Sequence, residues 1–154
     1  MEYVDYEFYT NEFHGNIITE LDFPRYADKA FDVLVWLTFG RVETLFDYQE
    51  EASEKVIYKV KKAVCRLAEV VQDIEVKEAV LRSNEALEQS EYGLKGKVIS
   101  SISSGSESIS YSTSNSLSDD TISASVKDMN ARKKLYMDVI RPYLSNTGLL
   151  YAGI

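Results

Sequence analysis

Few residues in this sequence could act as a nucleophile, a base or a metal ligand. It contains one histidine, His14, and one cysteine, Cys65. A lone histidine seldom catalyses without partners near it, and Cys65 lies on the apolar side of a helical pattern, where a small buried hydrophobe is expected. No group of His, Cys and carboxylate residues has the spacing of a metal site. We therefore predict no catalytic residue, no metal and no cofactor, and an enzyme is the least favoured class.

The charged and glycine-containing motifs have structural explanations. The stretch Gly93-Leu94-Lys95-Gly96 lacks phosphate-loop spacing and indicates a helix end. The pairs Glu50-Glu51 and Asp119-Asp120 lie at predicted helix starts, where the helix dipole favours negative charge. The one basic triplet, Arg132-Lys133-Lys134, is interpreted as a solvated helix face or a site for salt bridges to a partner. A net charge of −8 disfavours a protein that grips nucleic acid.

Size and composition favour one domain over residues 1–154. An apolar share of 45% is sufficient for a core. The single cysteine excludes an internal disulfide and fits a reducing compartment such as a cytoplasm. The first residues lack the basic and apolar regions of a signal peptide, and no apolar run has the length of a membrane span.

Hydrophobic periodicity predicts a mainly α fold, a small helical bundle with its helices in residues 22–92 and 118–144. The first helix is expected from Phe23 to Phe39, with Asp22 as N-cap and a stop at Gly40. The second follows the acidic residues near 50–54 and continues to about residue 92, and a bend or break near Ser83-Asn84 is an open alternative. The last begins at Ser118 or Asp119 and ends at Leu144. The expected core faces comprise Tyr26, Ala27, Ala30, Phe31, Leu34 and Leu37; Val56, Ile57, Val60, Ala63, Val64, Leu67, Ala68, Val71 and Ile74; and Ile122, Val126, Met129, Leu135, Tyr136, Val139, Ile140, Tyr143 and Leu144.

Residues 1–20 are rich in aromatic and acidic side chains and have no clear helical period. We predict an extended N-terminal arm that lies on an apolar surface, with a turn at His14-Gly15-Asn16. The alternative is a frayed terminus. The side chains expected to make the contact are Tyr3, Tyr6, Phe8, Tyr9, Phe13 and Ile17.

A serine-rich stretch, ISSGSESISYSTSNSLSDD, extends from Ile102 to Asp120. From Ser106 to Ser118 every even-numbered residue is serine, a period of two that a flexible linker does not need. We predict a β-hairpin or two extended arms over residues 97–117. An isolated two-stranded hairpin is marginal in water, so it should pair with strands of a neighbouring chain. The predicted inter-subunit residues are Ile102, Ser108, Ile109, Ser110, Tyr111, Ser112, Thr113 and Leu117.

The last ten residues, 145–154, form a short apolar tail. Apolar groups at a chain end rarely stay in water without a use, and we expect this segment to have few contacts with its own helices. It is therefore predicted to become ordered by docking against another chain. The docking residues are Thr147, Gly148, Leu149, Leu150, Tyr151 and Ile154.

Three segments in order give the chain a family likeness. They are Tyr-Val-Asp-Tyr-Glu-Phe-Tyr (3–9) with Ala-Asp-Lys-Ala-Phe-Asp (27–32) and Thr-Phe-Gly-Arg-Val (38–42); Ile-Ser-Tyr-Ser (109–112); and Ile-Arg-Pro-Tyr-Leu-Ser-Asn-Thr-Gly-Leu-Leu-Tyr-Ala-Gly-Ile (140–154). This order, over nearly the whole chain, resembles the head–tail connector (adaptor or neck) proteins of long-tailed bacteriophages and prophages. The chain departs from the family ending at Ala152, where a basic residue is expected.

The resemblance implies a virion structural protein without enzymatic activity. Copies would form a homo-oligomeric ring, commonly dodecameric, beneath the portal protein, with the tail docked on the portal. The ring would extend the DNA channel, let DNA pass without specific binding, and link the capsid to a downstream stopper or tail-completion protein. The expected location is the virion neck, and the host cytoplasm during assembly. The alternative is a DNA-binding ring or packaging cofactor of a phage. Such a protein would need more basic residues than the one triplet Arg132-Lys133-Lys134.

Overall fold

The structure is a computed structural model that describes residues 3–47, 53–88 and 119–150. These ranges are mainly helical and contain no strand, so the predicted mainly α class is confirmed. The predicted hairpin over residues 97–117 lies outside the described residues. The helices are α1 (Tyr6–Asn11), α2 (Phe23–Leu37), α3 (Arg41–Asp47), α4 (Glu54–Glu88), α5 (Asp119–Lys127) and α6 (Met129–Leu144).

Helix α4 is the centre of the fold. Between Ala63 and Val71 every residue except Arg66 is buried, because α2, α3, α5 and α6 all pack against this helix. A helix that is covered on several sides needs small and apolar residues around most of its circumference. The backbone stays helical through Ser83 and Asn84, so the alternative of a break there is wrong. The predicted burial of Cys65 is confirmed.

Helix α2 follows the predicted pattern and ends two residues earlier. Its expected core face is buried throughout, whereas Trp36 remains 51% exposed. Asp22 is the N-cap residue, as predicted, but its side chain makes no capping hydrogen bond to the helix. Its carboxylate instead accepts a hydrogen bond from the Thr19 hydroxyl at 2.8 Å. At the other end, the Gly40 N–H donates to the Val35 carbonyl at 2.9 Å, which closes the helix as predicted.

The N-terminal segment is folded rather than extended, which corrects the predicted arm. Asp5 caps α1 by accepting a hydrogen bond from the Phe8 N–H at 2.7 Å. Tyr6, Tyr9 and Phe13 recur at steps of three and four, a helical signal too short to stand out against the acidic residues between them. The predicted contact with an apolar surface is confirmed, since Tyr9 is completely buried and stacks against Phe23.

Two further helix boundaries differ from the prediction. Helix α3 was not expected, although Val42 and Phe46, four residues apart, are both buried.

The predicted last helix is two helices, α5 and α6, because the extended backbone of Asp128 interrupts it. The Asp128 carboxylate then caps α6 by accepting a hydrogen bond from the Asn130 N–H at 2.9 Å. The interruption changes the helical register, so Met129 is 66% exposed rather than part of the core.

Candidate docking surface

A buried polar cluster fixes the N-terminal segment to α4. The Tyr9 hydroxyl donates to Glu69 Oε1 at 3.1 Å and accepts hydrogen bonds from the N–H groups of Ile17 and Ile18 at 3.0 and 3.1 Å. Glu69 is only 2% exposed, and its second oxygen accepts from Arg66 Nη1 at 2.8 Å. The buried carboxylate is therefore both paired and hydrogen-bonded, as burial of a charge requires. We call these residues the Tyr9–Glu69 cluster.

Burial around this cluster raises the pKa of several acidic groups. Burial, together with the Glu69 carboxylate, raises the pKa of Tyr9 to about 12. Burial and the same carboxylate also raise the pKa of Asp73 and raise that of the Cys65 thiol to about 12. A general base or nucleophile that works near neutral pH needs a pKa close to that pH. The raised pKa therefore keeps the buried Cys65 thiol protonated near neutral pH.

Gly15 is needed for the close approach of the loop after α1 to Tyr9. A Cβ atom at this position would lie 2.0 Å from the Tyr9 ring, a distance that no side chain can occupy. Just before it, His14 has a left-handed backbone with φ of 62°. The predicted turn at His14 and Gly15 thus lets the loop pack directly on the Tyr9 ring. His14 takes part through its left-handed backbone conformation.

The basic triplet of α6 does not form one surface. The Arg132 side chain points into the fold. Its guanidinium contacts Glu78 Oε1 at 2.6 Å and donates a hydrogen bond to the Ser125 carbonyl at 2.9 Å. Lys133 lies over the Trp36 ring, 5.2 Å from its centre. Lys134 lies beside a groove between α5 and α6. The interpretation as a solvated face is therefore wrong for Arg132, whereas Lys133 and Lys134 are exposed and point about 100° apart, as successive helical residues do.

The C-terminal segment packs on the chain's own core as far as Leu149. The Thr147 hydroxyl donates to the Leu144 carbonyl at 2.7 Å, and Gly148 has a left-handed φ of 77°. This turn directs Leu149 inward, where it is only 6% exposed. The expectation of few self-contacts is therefore wrong for Thr147–Leu149. Leu150 is half-buried, and the other predicted docking residues, Tyr151 and Ile154, lie outside the described residues.

Arg41 places this segment beside the turn between α2 and α3. Its Nη1 atom donates to the carbonyls of Gly148 and Leu149, both at 3.5 Å. The same turn carries Phe39, which is 72% exposed and has a left-handed φ of 54°. We call Trp36, Phe39 and Gly148–Leu150 the docking end. Sequence reasoning missed Phe39, although an aromatic residue directly before the predicted stop at Gly40 was a usable signal.

An open groove of about 730 Å³ lies between α5 and α6, with Arg66 of α4 among the residues that line it. Besides Arg66, its polar lining consists of Asp120, Thr121, Ser125, Lys134 and Asp138. Its apolar lining consists of Ala124, Ala131, Leu135, Val139, Pro142 and Tyr143. The alternating small and large side chains leave a concave surface that could accept a side chain from another molecule.

The remaining predicted site residues, in the serine-rich stretch from Ile102 to Leu117, lie outside the described residues. In the ranges that are described, no three His, Cys, Asp or Glu residues come together in a way that could hold a metal ion. None of the helices described is both long and apolar enough to cross a membrane. Comparison with known protein families, curated proteins and solved structures finds no match to this chain.

Proposed function

We propose that the protein is a structural neck protein of a long-tailed bacteriophage. Its copies form a ring beneath the portal that extends the DNA channel and links the capsid to the tail. The proposal is supported by the order of the three connector-like segments, and a mainly helical domain is compatible with it. The arrangement of the docking end is the observation that supports the proposal most strongly. In this proposal the protein has no enzymatic role.

The C-terminal segment is suited to docking because its first half is already held in place. Leu149 and the Arg41 hydrogen bonds fix the point from which Leu150, Tyr151 and Ile154 continue. Burial of these three side chains would contribute roughly 1.5–3 kcal/mol each. Ordering the few residues that carry them costs about 1–2 kcal/mol per residue. One tail therefore binds weakly, whereas a ring of tails binds firmly because the later contacts are effectively intramolecular.

The serine-rich stretch is the proposed contact between neighbouring copies in the ring. Small side chains allow two backbones to approach, and period-two alternation gives Ile109, Tyr111 and Leu117 a common face. A hairpin over residues 97–117 would then gain the additional strands that it needs for stability. The net charge of −8 suits a conduit, since a surface that repels phosphates does not trap passing DNA.

Removal of residues 151–154 tests the docking role. We expect the shortened chain to unfold at the same temperature as the full chain, because its core contact at Leu149 is intact. In a neck-assembly assay, filled heads supplied with it should fail to acquire connectors and tails. The matched variant Leu149→Ala should instead lose about 2–5 kcal/mol of stability, as expected when a buried leucine is truncated.

Unimpaired neck assembly with the shortened chain would contradict the docking role. A salt-sensitive shift of duplex DNA by the purified full chain would instead favour the DNA-binding ring, because phosphate contacts release counterions and weaken as salt is added.

A further inference from the structure

We infer that residues 151–154 fold back onto Trp36 and Phe39 of the same chain, so that the free protein covers its own docking side chains until it meets the portal. We call this contact the tail latch. The inference rests on the proposed function, which gives residues 151–154 a partner to dock on, and deepens it by naming how that docking is regulated. It depends on where the described tail ends, on two exposed rings near that point, and on the side chains that follow in the sequence.

The last described residues of the tail lie beside the turn that carries Phe39. Arg41, two residues after Phe39, donates from Nη1 to the carbonyls of Gly148 and Leu149, both at 3.5 Å. Leu149 is only 6% exposed, so this part of the tail is held in place. Residues 151–154 begin two residues after this fixed point, and four extended residues span at most about 14 Å. Such a short tether gives the segment a high effective concentration at the turn.

The turn presents two aromatic rings with little cover. Trp36 is 51% exposed and Phe39 is 72% exposed, and the Phe39 N–H donates to the Trp36 carbonyl at 3.4 Å, which places both in one tight turn. Phe39 also has a left-handed φ of 54°, at a position where glycine is usual because a Cβ atom is strained there. A strained residue that gains little from the described core indicates a contact beyond that core.

The sequence after Leu150 is suited to cover these rings. Tyr151 and Ile154 supply one aromatic and one β-branched side chain, and the residues between them, Ala152 and Gly153, are small. Glycine lets the chain turn within a short distance, so both large side chains can reach one surface. Contact between these side chains and the exposed rings removes apolar surface from water, and aromatic pairs contribute more than their area alone.

The charges at the turn are compatible with an uncharged occupant. Lys133 Nζ lies 5.2 Å from the centre of the Trp36 ring, Arg41 contacts the tail, and the carboxylate of Glu43 follows two residues later. Residues 151–154 have no charged side chain, so the latch brings no like charges together and buries no unpaired charge beside the rings. An aromatic ring is also well placed beside cations.

The latch regulates docking because the same side chains serve both contacts. Tyr151 and Ile154 cannot lie on Phe39 and on the portal at once, so a closed chain opens before it docks. The contact involves few side chains, so the closed and open forms are comparably populated and the latch adds little to stability. A chain that is half closed binds the portal about twofold more weakly than one that is always open. In exchange, the free monomer exposes less apolar surface to other proteins.

Quenching of Trp36 fluorescence by acrylamide tests the contact in the purified protein. Trp36 is the one tryptophan in the sequence, so its fluorescence reports on this surface alone. Removal of residues 151–154 should raise the quenching constant by at least about 1.5-fold, because the open form leaves the ring uncovered. The full-length double variant Tyr151→Ser with Ile154→Ser should have the same effect, whereas the control Ala152→Ser should behave like the wild type. The protection should not depend on protein concentration.

A second comparison tests whether the tail rests on Phe39. Phe39→Gly should unfold at a temperature no lower than the wild type, because glycine fits the left-handed position. In this variant, removal of residues 151–154 should no longer change the quenching of Trp36, since coupled residues have non-additive effects. With filled heads, Phe39→Gly should reach half-maximal neck assembly at a protein concentration at least about twofold lower, because its tail is free. The control Leu21→Ser removes a 90% exposed apolar side chain before α2 and should match the wild type.

Three results would overturn the inference. They are equal quenching with and without residues 151–154, protection that appears only as the protein concentration rises and therefore comes from a second copy, and weaker neck assembly by a folded Phe39→Gly, which would make Phe39 a portal contact. The quenching comparison needs no portal, so its failure leaves the proposed function standing. Normal neck assembly without residues 151–154 contradicts the docking role and leaves the fold-back contact itself in place.

Discussion

At the scale of single residues, the Tyr9 hydroxyl joins three parts of the chain. It contacts Glu69 on α4 and the backbone of Ile17 and Ile18, in a site from which water is excluded. Every hydrogen-bonding direction of the hydroxyl is used. Its removal would therefore leave two amides and a buried carboxylate without this partner, which is more costly than losing an exposed hydrogen bond.

The variant Tyr9→Phe should lower the free energy of unfolding by roughly 1–3 kcal/mol, as expected for buried polar groups left unsatisfied. Urea denaturation gives this value. Tyr58→Phe is the matched control, since the Tyr58 hydroxyl donates to Glu12 Oε2 at 3.0 Å on the surface. It should change stability by no more than about 0.5 kcal/mol. Equal effects of the two variants would show that the Tyr9–Glu69 cluster does not secure the N-terminal segment.

At the scale of elements, the helices around α4 are joined by a small number of specific polar contacts. Arg132 contacts Glu78 of α4 and the carbonyl of Ser125 in α5, so one side chain of α6 connects three helices. The break at Asp128 makes this possible, because it lets α5 and α6 pack on each other and on α4. A single continuous helix over the same residues could not fold back on itself.

The variant Arg132→Ala should destabilise the protein by roughly 1–3 kcal/mol, because it removes the shorter and more buried ion pair of Glu78 and leaves the Ser125 carbonyl without its charged donor. Amide hydrogen exchange should become faster in α5 than in α2. Arg82→Ala is the control: Arg82 also pairs with Glu78, but at 3.5 Å and with its side chain 78% exposed. A surface pair of this kind contributes about 0–1 kcal/mol. Unchanged exchange in α5 would rule out the linking role of Arg132.

At the scale of the whole molecule, burial raises the pKa of three tyrosine and cysteine side chains, Tyr9, Cys65 and Tyr136, and most strongly those of Tyr9 and Cys65. The pKa of Tyr9 rises from 10.0 to about 12, and that of Cys65 from 9.0 to about 12, mainly because burial disfavours the charged forms. An acid whose pKa is raised in the folded state loses its proton first in the unfolded state. Its stabilising contribution is therefore complete below its unfolded pKa and is lost as the pH rises towards the folded value.

We therefore expect the free energy of unfolding to fall between about pH 9 and pH 12. Denaturant titrations at a series of pH values measure this loss. Cys65→Ala should reduce the slope from about pH 9 upwards, and Tyr9→Phe from about pH 10 upwards. Since all other titrating groups are shared with the wild type, the differences isolate Cys65 and Tyr9. A wild-type slope retained in both test variants would contradict this account.

The amino-acid sequence by itself determined the mainly α class, α2 to within two residues, the helical course of α4 over residues 54–88, and most of their core faces. These features follow from residues three and four apart, which the helix brings together wherever it lies in the fold. The same spacing of apolar residues in α4 predicted that Cys65 is buried. Short elements such as α1 and α3 were missed because one or two turns give too few repeats to be recognised.

Only the tertiary structure decided which polar and terminal groups are internal. Glu69 is buried because Tyr9, 60 residues away, covers it, and Leu149 is buried beside Arg41, 108 residues earlier. Phe39 is 72% exposed although it follows a buried helix face, and Arg132 turns inward because Glu78 of α4 and the Ser125 carbonyl of α5 meet it there. Local pattern carries no information about such distant partners, since they come together only when the whole chain has folded.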